Sequence, residues 1–458
     1  MAENATPEAP RIEGVEIDLG IEVVDYVWPA NERTRAALEH WQDLKVGVLM
    51  HWGIYSHVGQ AGSWSLHRDH LGDFTDPPAD WVGSDAEYHD WYRDQARSFR
   101  GQDYHAVEWA AACAGSGARY MIFTAKHHDG FAMYDTRFSN FKATSEESGL
   151  GRDVLRETFD AFRAKEMEVG VYFSKADWNH PGYWDRALPI TDRFHNYDRS
   201  ERPGQWQSFV DFTQAQIDEL MTRYGRVNAL WLDAGWVREP VEPIGMAAIA
   251  EASLAAQPDL LIVDRTVHGP HEMYRTPEEV IPPRKMDTPW ESCIPMTDHW
   301  CSVVLDEEAR PFADILRELA QVVTRGGNYL IGVGPDATGR LSRSVAERLA
   351  QLGEWLEVNG DAVYGTRPST LAIESTDLAW ATTSSGGLTY AFGIARQGAS
   401  TPEQTITLPE GFIGARRLGD GALPVDDTGR GAVVRVPATD ASVVVIVLES
   451  GGSESAVG

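Results

Sequence analysis

The chain has 458 residues, 43% of them hydrophobic, which is typical of a folded protein with one barrel-sized domain and a smaller one. Its 69 acidic and 40 basic residues give a net charge of −29, which argues against nucleic acid and anionic membrane surfaces as partners. The 16 tryptophans, 15 tyrosines and 14 histidines favour a sugar-binding pocket, because rings pack on sugar C–H faces while polar groups bond the hydroxyls.

The N-terminal segment and the cysteines carry no targeting or metal-binding pattern. Residues 1–30, which we expect to be a loosely ordered arm, have no basic n-region and no apolar h-region. We therefore expect a cytoplasmic protein, or a secreted one if a leader was removed. Cys113, Cys293 and Cys301 lack the spacing of a zinc site and are too few for a disulfide framework, so no metal is expected from them.

From residue 31 onward, helical periodicity alternates with short apolar segments. The pattern predicts helices at residues 31–44, 106–114, 152–165, 206–224, 247–256, 312–324 and 342–358. It predicts strands at residues 45–53, 119–131, 168–178, 228–236, 260–265, 287–293 and 328–334. At least six strands alternate with helices and end in polar residues, which indicates a (β/α)8-like barrel with its active site at one rim. A doubly wound sheet would instead gather its ligand residues at one switch point, usually with a glycine-rich phosphate loop that this sequence lacks.

After residue 366 the pattern changes to short alternating segments separated by Gly, Pro, Ser and Asp. LAWATT, LTYAFGIA, TITL, AVVRV and SVVVIVL are such segments, and they predict a small β-sandwich. The expected organisation is therefore an arm (1–30), a catalytic barrel (31–366), a C-terminal β-sandwich (367–450) and a flexible tail (451–458).

Asp233 stands where the apolar segment Ala229–Leu232 ends and is followed at once by two small residues. An ionised carboxylate at the end of a buried strand must be paired or hydrogen-bonded, and this end of a barrel strand is where catalytic residues lie. An aspartate that caps the following turn is an equally good explanation of this segment alone.

A second carboxyl group is needed if Asp233 cleaves a glycosidic bond. The two groups are about 5–5.5 Å apart in retaining enzymes and about 6.5–9.5 Å apart in inverting ones. Glu291 in PWESC is the best partner by position, since its apolar neighbours would raise its pKa as a general acid requires. An ordinary loop glutamate is the alternative explanation, and Glu272, Glu278 and Glu279 are further candidates.

His127 and His128 are adjacent at a strand end. Neighbouring side chains on a strand point in opposite directions, so we expect two hydroxyl-binding histidines on a turn rather than a converging metal pair. His51 follows another strand and supports this interpretation. Arg265 could bind a substrate oxygen or pair with a carboxylate at the same rim. The sequence has neither a G-x-S-x-G nucleophile elbow nor an H-E-x-x-H zinc motif.

Six segments resemble family 29 glycoside hydrolases, the retaining α-L-fucosidases, and occur in that family's order. They are VGVLMHWGIYS, RYMIFTAKHHDGFAMYDT, RDVLRETFDAFRAKEMEVGVYFS, LWLDAGW, PWESC and RGGNYLIGVGPDATGRL. The resemblance covers about residues 44–367. It implies an irregular (β/α) barrel followed by a β-sandwich, a terminal α-L-fucosyl substrate on an oligosaccharide or glycoconjugate, double displacement, and no metal or other cofactor.

The resemblance also implies roles for individual residues. Asp233 resembles the family nucleophile and Glu291 the acid/base of many members. The fucose-binding set corresponds to His51, His127, His128, Tyr172, Trp231 and Arg265, and Trp64 resembles the aromatic wall of the pocket.

Ser63 departs from the family pattern, because many members have glutamate in the Gly-Glu-Trp that aligns with Gly62–Trp64. A carboxylate that would contact sugar hydroxyls is therefore absent from this position. Two alternatives remain open: an exo-glycosidase for a related sugar such as a galactoside, and a non-catalytic carbohydrate-binding protein. The linkage and the oligomeric state also remain open.

Overall fold

The computed structural model describes residues 25–67, 81–373, 378–427 and 432–450. Seven parallel strands form its larger sheet: β1 (Val46–Met50), β2 (Tyr120–Lys126), β3 (Glu168–Ser174), β4 (Ala229–Asp233), β5 (Leu261–Asp264), β6 (Glu291–Pro295) and β7 (Asn328–Val333). Their residues are buried with few exceptions, as expected for strands covered on both faces. The strand order is β5-β4-β3-β2-β1-β7-β6, so the sheet curls until β5 and β6 face each other.

Residues 271–279, here called the closing segment, fill the gap between β5 and β6. Its first part runs antiparallel to β5, where the Met273 amide donates to the Ile262 carbonyl at 3.0 Å. Its second part runs parallel to β6, where the Glu279 amide donates to the Cys293 carbonyl at 2.9 Å. The segment therefore closes the barrel and brings Glu278 to the rim where the strands end.

Helices surround this barrel and connect its strands. They are α1 (Glu32–Leu44), α2 (Ile54–Val58), α3 (Asp85–Asp94), α4 (Ala106–Gly115), α5 (Val154–Arg163), α6 (Pro203–Arg223), α7 (Met246–Ala256), α8 (Phe312–Thr324) and α9 (Arg343–Asn359). Helix α5 illustrates the local cause, because Val154, Leu155, Phe159 and Phe162 form one apolar face that is fully buried. Within the described residues, no helix is long and apolar enough to cross a membrane.

Two antiparallel sheets follow α9 and share a second core. Their strands are β8 (Arg367–Pro368), β9 (Ala379–Ser385), β10 (Leu388–Ile394), β11 (Gln404–Thr407), β12 (Phe412–Arg417), β13 (Gly421–Ala422), β14 (Val425–Asp427), β15 (Ala432–Val436) and β16 (Val443–Ser450). One sheet has the order β13-β12-β16-β10-β9-β8 and the other β11-β15-β14. Ile406, Val434 and Ile446 come from both sheets and pack in one cluster.

The predicted fold class, a (β/α)8-like barrel followed by a small β domain, is confirmed, with seven strands in the parallel sheet. Several strands differ from the sequence prediction in their bounds. Strands β2 and β3 end earlier, at Lys126 and Ser174, and β6 begins at Glu291 and not at residue 287. The expected arm at residues 1–24 and the tail at residues 451–458 lie outside the described residues.

Candidate active site

Asp233 is the last residue of β4, and its side chain is 14% exposed at the barrel rim. One carboxylate oxygen accepts a hydrogen bond from Arg265 Nη1 at 2.8 Å, and the other accepts from the Tyr172 hydroxyl at 2.5 Å. Burial alone raises the pKa of Asp233, but the Arg265 charge and the Tyr172 hydroxyl outweigh it and hold this pKa below its ordinary value. The carboxylate is therefore ionised at neutral pH and held in one orientation.

Arg265 joins two carboxylates of the rim. Its Nη1 bonds Asp233, and its Nη2 bonds Glu278 of the closing segment. Because both carboxylates contact one guanidinium, they lie close to each other at the rim. The Glu278 side chain is 44% exposed, whereas that of Arg265 is 7% exposed. A buried carboxylate and a solvent-reaching one thus face each other across a single cation.

The histidines converge on the same pocket. The His128 Nε2 atom lies 3.8 Å from the Asp233 carboxylate, and the His127 and His128 ring centroids are 4.2 Å apart. The ring of His51 lies 5.2 Å from that of His127. Burial lowers the pKa of His128 to about 3 and those of the other two well below the ordinary value. All three are therefore neutral at pH 7, and each offers one N–H donor and one acceptor nitrogen.

The two neighbouring histidines lie on a turn, as expected, and their rings converge. Strand β2 ends at Lys126, so His127 and His128 belong to a turn where strand alternation no longer applies. His127, His128 and Asp233 offer three atoms within 4.8 Å of one another, a set that could hold a metal ion. However, Asp233 is already paired with the Arg265 cation, which opposes a second cation at the same carboxylate. The chemistry of the trio therefore favours sugar hydroxyls.

Ser63 occupies the position at which the sequence lacks the family glutamate. Its hydroxyl is fully buried and bonds both His127 Nδ1 and the Asp129 carboxylate, the latter at 2.8 Å. Burial raises the pKa of Asp129 to about 6. Ser63 thus fixes the ring of His127 instead of offering a charge to the ligand.

Aromatic rings form one wall of the pocket. The indole of Trp64 lies 5.0 Å from the ring of His128, 5.5 Å from Trp178 and 6.0 Å from Trp236. The guanidinium of Arg193 lies 4.9 Å from the Trp236 ring and 5.4 Å from the Trp64 ring. Trp178 and Trp236 were not among the predicted site residues. Both stand at the ends of predicted strands, where side chains of a barrel rim are expected, so the sequence pattern could have identified them. Arg193 lies in a loop without a regular pattern, so no sequence signal pointed to it.

Trp231 and Glu291 lie deeper in the barrel than the other predicted site residues. The Trp231 ring stacks on Tyr172 with centroids 5.3 Å apart, and its indole N–H donates to Glu291 at 3.2 Å. Glu291 is the first residue of β6, is fully buried, and also accepts from the Tyr120 hydroxyl at 2.6 Å. Since Tyr120 is the first residue of β2, Glu291 lies near the end of the barrel opposite to Asp233.

The two remaining glutamate candidates have other surroundings. Glu272 is buried and bonds Arg275 at 2.5 Å and the His268 amide at 2.7 Å, so it fixes the turn before the closing segment. Burial and the neighbouring Glu278 raise the pKa of Glu279, whose carboxyl faces Trp300 and does not bond Arg265. Among the candidate acids, Glu278 is thus the one that shares a hydrogen-bonded partner with Asp233.

Comparisons of the sequence and of the fold relate the chain to known proteins. The sequence model of the Alpha-L-fucosidase family matches residues 21–361. The Alpha-L-fucosidase of Branchiostoma floridae is 27% identical over 350 residues, which are 72% of this chain and 73% of that protein. The Tissue alpha-L-fucosidase of Homo sapiens is 26% identical over 392 residues, 80% of this chain and 77% of that protein. The structure of Alpha-L-fucosidase isoenzyme 1 from Paenibacillus thiaminolyticus superimposes with a TM-score of 0.75 at 25% identity, covering 92% of this chain and all of that chain.

Proposed function

The chain belongs to the alpha-L-fucosidase family, and we propose that it removes terminal α-L-fucosyl groups from oligosaccharides or glycoconjugates with retention of configuration. In this proposal Asp233 is the nucleophile and Glu278 the acid/base. The observation that carries it is the guanidinium of Arg265, which bonds both carboxylates at the barrel rim. Two carboxylates that share one guanidinium lie close enough to act on the same glycosidic bond, which supports their assignment as a catalytic pair.

The reaction has two displacements. Asp233 attacks the anomeric carbon while Glu278 gives its proton to the leaving oxygen, so that the glycosidic bond breaks and an acylal ester forms on Asp233. Glu278, now ionised, takes a proton from water, whose oxygen attacks the same carbon and releases Asp233 as carboxylate. The depressed pKa of Asp233 supports its part, because a nucleophilic carboxylate must be ionised when substrate binds.

Glu278 replaces Glu291 as the proposed proton donor for a geometric reason. A general acid must reach the leaving oxygen directly or through one water. Glu278 is 44% exposed beside the pocket, whereas Glu291 is fully buried and engaged by Tyr120 and Trp231. In this proposal Glu278 can therefore give a proton to the leaving oxygen, whereas Glu291 cannot reach it.

Neutral donors and one aromatic wall are proposed to select the sugar. His51, His127 and His128 bind hydroxyl groups of the fucosyl ring, and Trp64 packs on its C–H face. Ser63 is uncharged and bonds His127, so it does not make the contact to a sugar hydroxyl that a glutamate at this position would make. We expect weaker selection at that hydroxyl than in family members with the carboxylate, which leaves most of the selectivity to the histidines.

A panel of nitrophenyl glycosides tests the proposal. The α-L-fucoside is expected to be hydrolysed faster than the galactoside or the xyloside, and NMR should show the α-anomer of fucose as the first product. A β-anomer as the first product would exclude double displacement. Faster cleavage of the galactoside would change the proposed substrate to a galactoside and leave the proposed mechanism unchanged. No cleavage of any glycoside would favour a carbohydrate-binding protein. A panel of fucosylated oligosaccharides then identifies the linkage.

A further inference from the structure

The interior of the barrel links Glu291 to the nucleophile through a short series of contacts. Alternate residues of a strand share a face, so Trp231 and Asp233 both point from β4 into the barrel, Trp231 one layer below. Tyr172 pairs with Trp231 in the register of β3 and β4. The Trp231 ring stacks on Tyr172, and the guanidinium of Arg265 lies 5.0 Å from the same ring. Tyr172 and Arg265 are the two groups that hydrogen-bond Asp233.

Glu291 supplies the hydrogen-bond acceptor that fixes this ring. An indole has one polar atom, a donor, so a single acceptor determines how the ring is rotated in its site. Glu291 accepts that N–H at 3.2 Å and is itself held by Tyr120 at 2.6 Å. The Tyr120 ring reaches it because residue 47 is glycine, whose added Cβ would lie 2.3 Å from that ring.

Stability alone does not account for a carboxyl group in this place. Within the described residues Glu291 forms no ion pair, and burial raises its pKa to about 7. A well-packed apolar residue at a buried charged position is usually at least as stabilising. The carboxyl group is thus costly to bury, while its position lets it orient Trp231.

We propose that Glu291 is a positioning residue for the reaction: by fixing Trp231, it sets the places of Tyr172 and Arg265 and hence the orientation of Asp233. Glu291 does not touch the substrate in this role. The inference rests on the proposed function, since it takes Asp233 to be the nucleophile. Displacing a catalytic group by about 1 Å can cost about 10²-fold in rate.

The test begins with Glu291→Gln. The amide has the same size, but only its oxygen can accept, so the Trp231 N–H and the tyrosine hydroxyls around residue 291 compete for one acceptor atom. For nitrophenyl α-L-fucoside we expect kcat to fall about 10- to 100-fold with KM changed less than about threefold, because the three histidines and Trp64, which are proposed to bind the sugar, stay in place. The loss should be equal for substrates with good and poor leaving groups, since the nucleophile and not the proton donor is displaced.

Two further variants separate positioning from a purely structural role. Trp231→Phe keeps a ring on Tyr172 but removes the N–H, so its kcat should fall while adding Glu291→Gln to it should lower kcat little further. Tyr120→Phe removes the Tyr120 hydroxyl that donates to Glu291 and should lower the unfolding midpoint with a smaller loss of kcat. Trp231→Phe also keeps the test open if Glu291→Gln does not fold.

Each result has a distinct meaning. A loss confined to poor leaving groups would make Glu291 the proton donor and overturn the inference. Additive losses in the double variant, or wild-type kcat in Glu291→Gln or Trp231→Phe, would also overturn it. If the wild-type protein hydrolyses no fucoside, the proposed function is wrong. If the wild-type enzyme is active and the Glu291→Gln variant has the same kcat, only the positioning role is refuted.

Discussion

Replacing Arg265 by methionine should move the acid limb of the pH–activity profile. Methionine keeps most of the aliphatic volume and removes the cation that Asp233 contacts at 2.8 Å. Two unit charges about 4 Å apart interact by about 4 kcal/mol at an effective dielectric constant of 20. This energy corresponds to about three pKa units. Since Arg265 and Tyr172 hold the pKa of Asp233 below its ordinary value, the loss of the cation should raise this pKa by about that amount.

The direction of the change follows from the nucleophile's charge. Asp233 attacks only when ionised, so activity is lost as the pH falls through its pKa. In the wild-type enzyme this loss should occur below pH 4, and in Arg265→Met it should occur about three pH units higher than in the wild-type enzyme. The readout is kcat/KM for nitrophenyl α-L-fucoside between pH 3 and 9, because this ratio reports the pKa values of the free enzyme.

Glu278→Gln is the matched control. It removes the second carboxylate that contacts Arg265 and keeps the contact between Arg265 and Asp233. The acid limb should therefore stay at the wild-type position, while the basic limb, which reflects the proton donor, should disappear. An acid limb that is the same in Arg265→Met and wild-type enzyme would refute the assignment of Asp233 as the ionised nucleophile.

The remaining predictions concern the two carboxylates and the barrel interior. Asp233→Gly should lower turnover of an aryl fucoside at least about 10⁴-fold, with added azide restoring part of it as fucosyl azide; wild-type turnover would exclude this nucleophile. Glu278→Ala should slow fucosides with poor leaving groups by about 10²–10⁴-fold and nitrophenyl fucoside much less, and an equal loss on both would point to another acid. Gly47→Ala should destabilise the protein by about 1–3 kcal/mol through its clash with Tyr120, measured as a lower unfolding midpoint, whereas Gly115→Ala, with no atom within 4 Å of the new Cβ, should not.

The barrel could be predicted because its signals are local. Most strands of the parallel sheet are short apolar segments, and helices such as α5 place four apolar residues on one face. The closing segment could not be predicted, because its pairing with β5 and β6 is made by isolated bridges and carries no alternating pattern. The expected cytoplasmic location and the individual roles of the site residues stay predictions.

The pocket was predicted in outline because side chains that follow parallel strands meet at one rim. His51, His128 and Asp233 follow this rule and lie together. The orientation of His127 and His128 did not follow from strand alternation, because it depends on the residue at which β2 ends. Arg193 lies in a loop, and loop side chains meet the pocket only through the tertiary fold.

The position of a carboxylate relative to its apolar segment separates Asp233 from Glu291. Asp233 comes after Ala229–Leu232, whereas Glu291 precedes the buried residues Cys293 and Ile294 of β6. Parallel strands all run from the same end of the barrel, so an acid after the apolar segment lies at the active rim and an acid before it lies at the other end. The predicted strand at residues 287–293 put Glu291 near the end of the strand, whereas Glu291 is the first residue of β6. With β6 beginning at Glu291, the same rule explains why Asp233 lies at the rim while Glu291 lies near the other end of the barrel, where it accepts the Trp231 N–H.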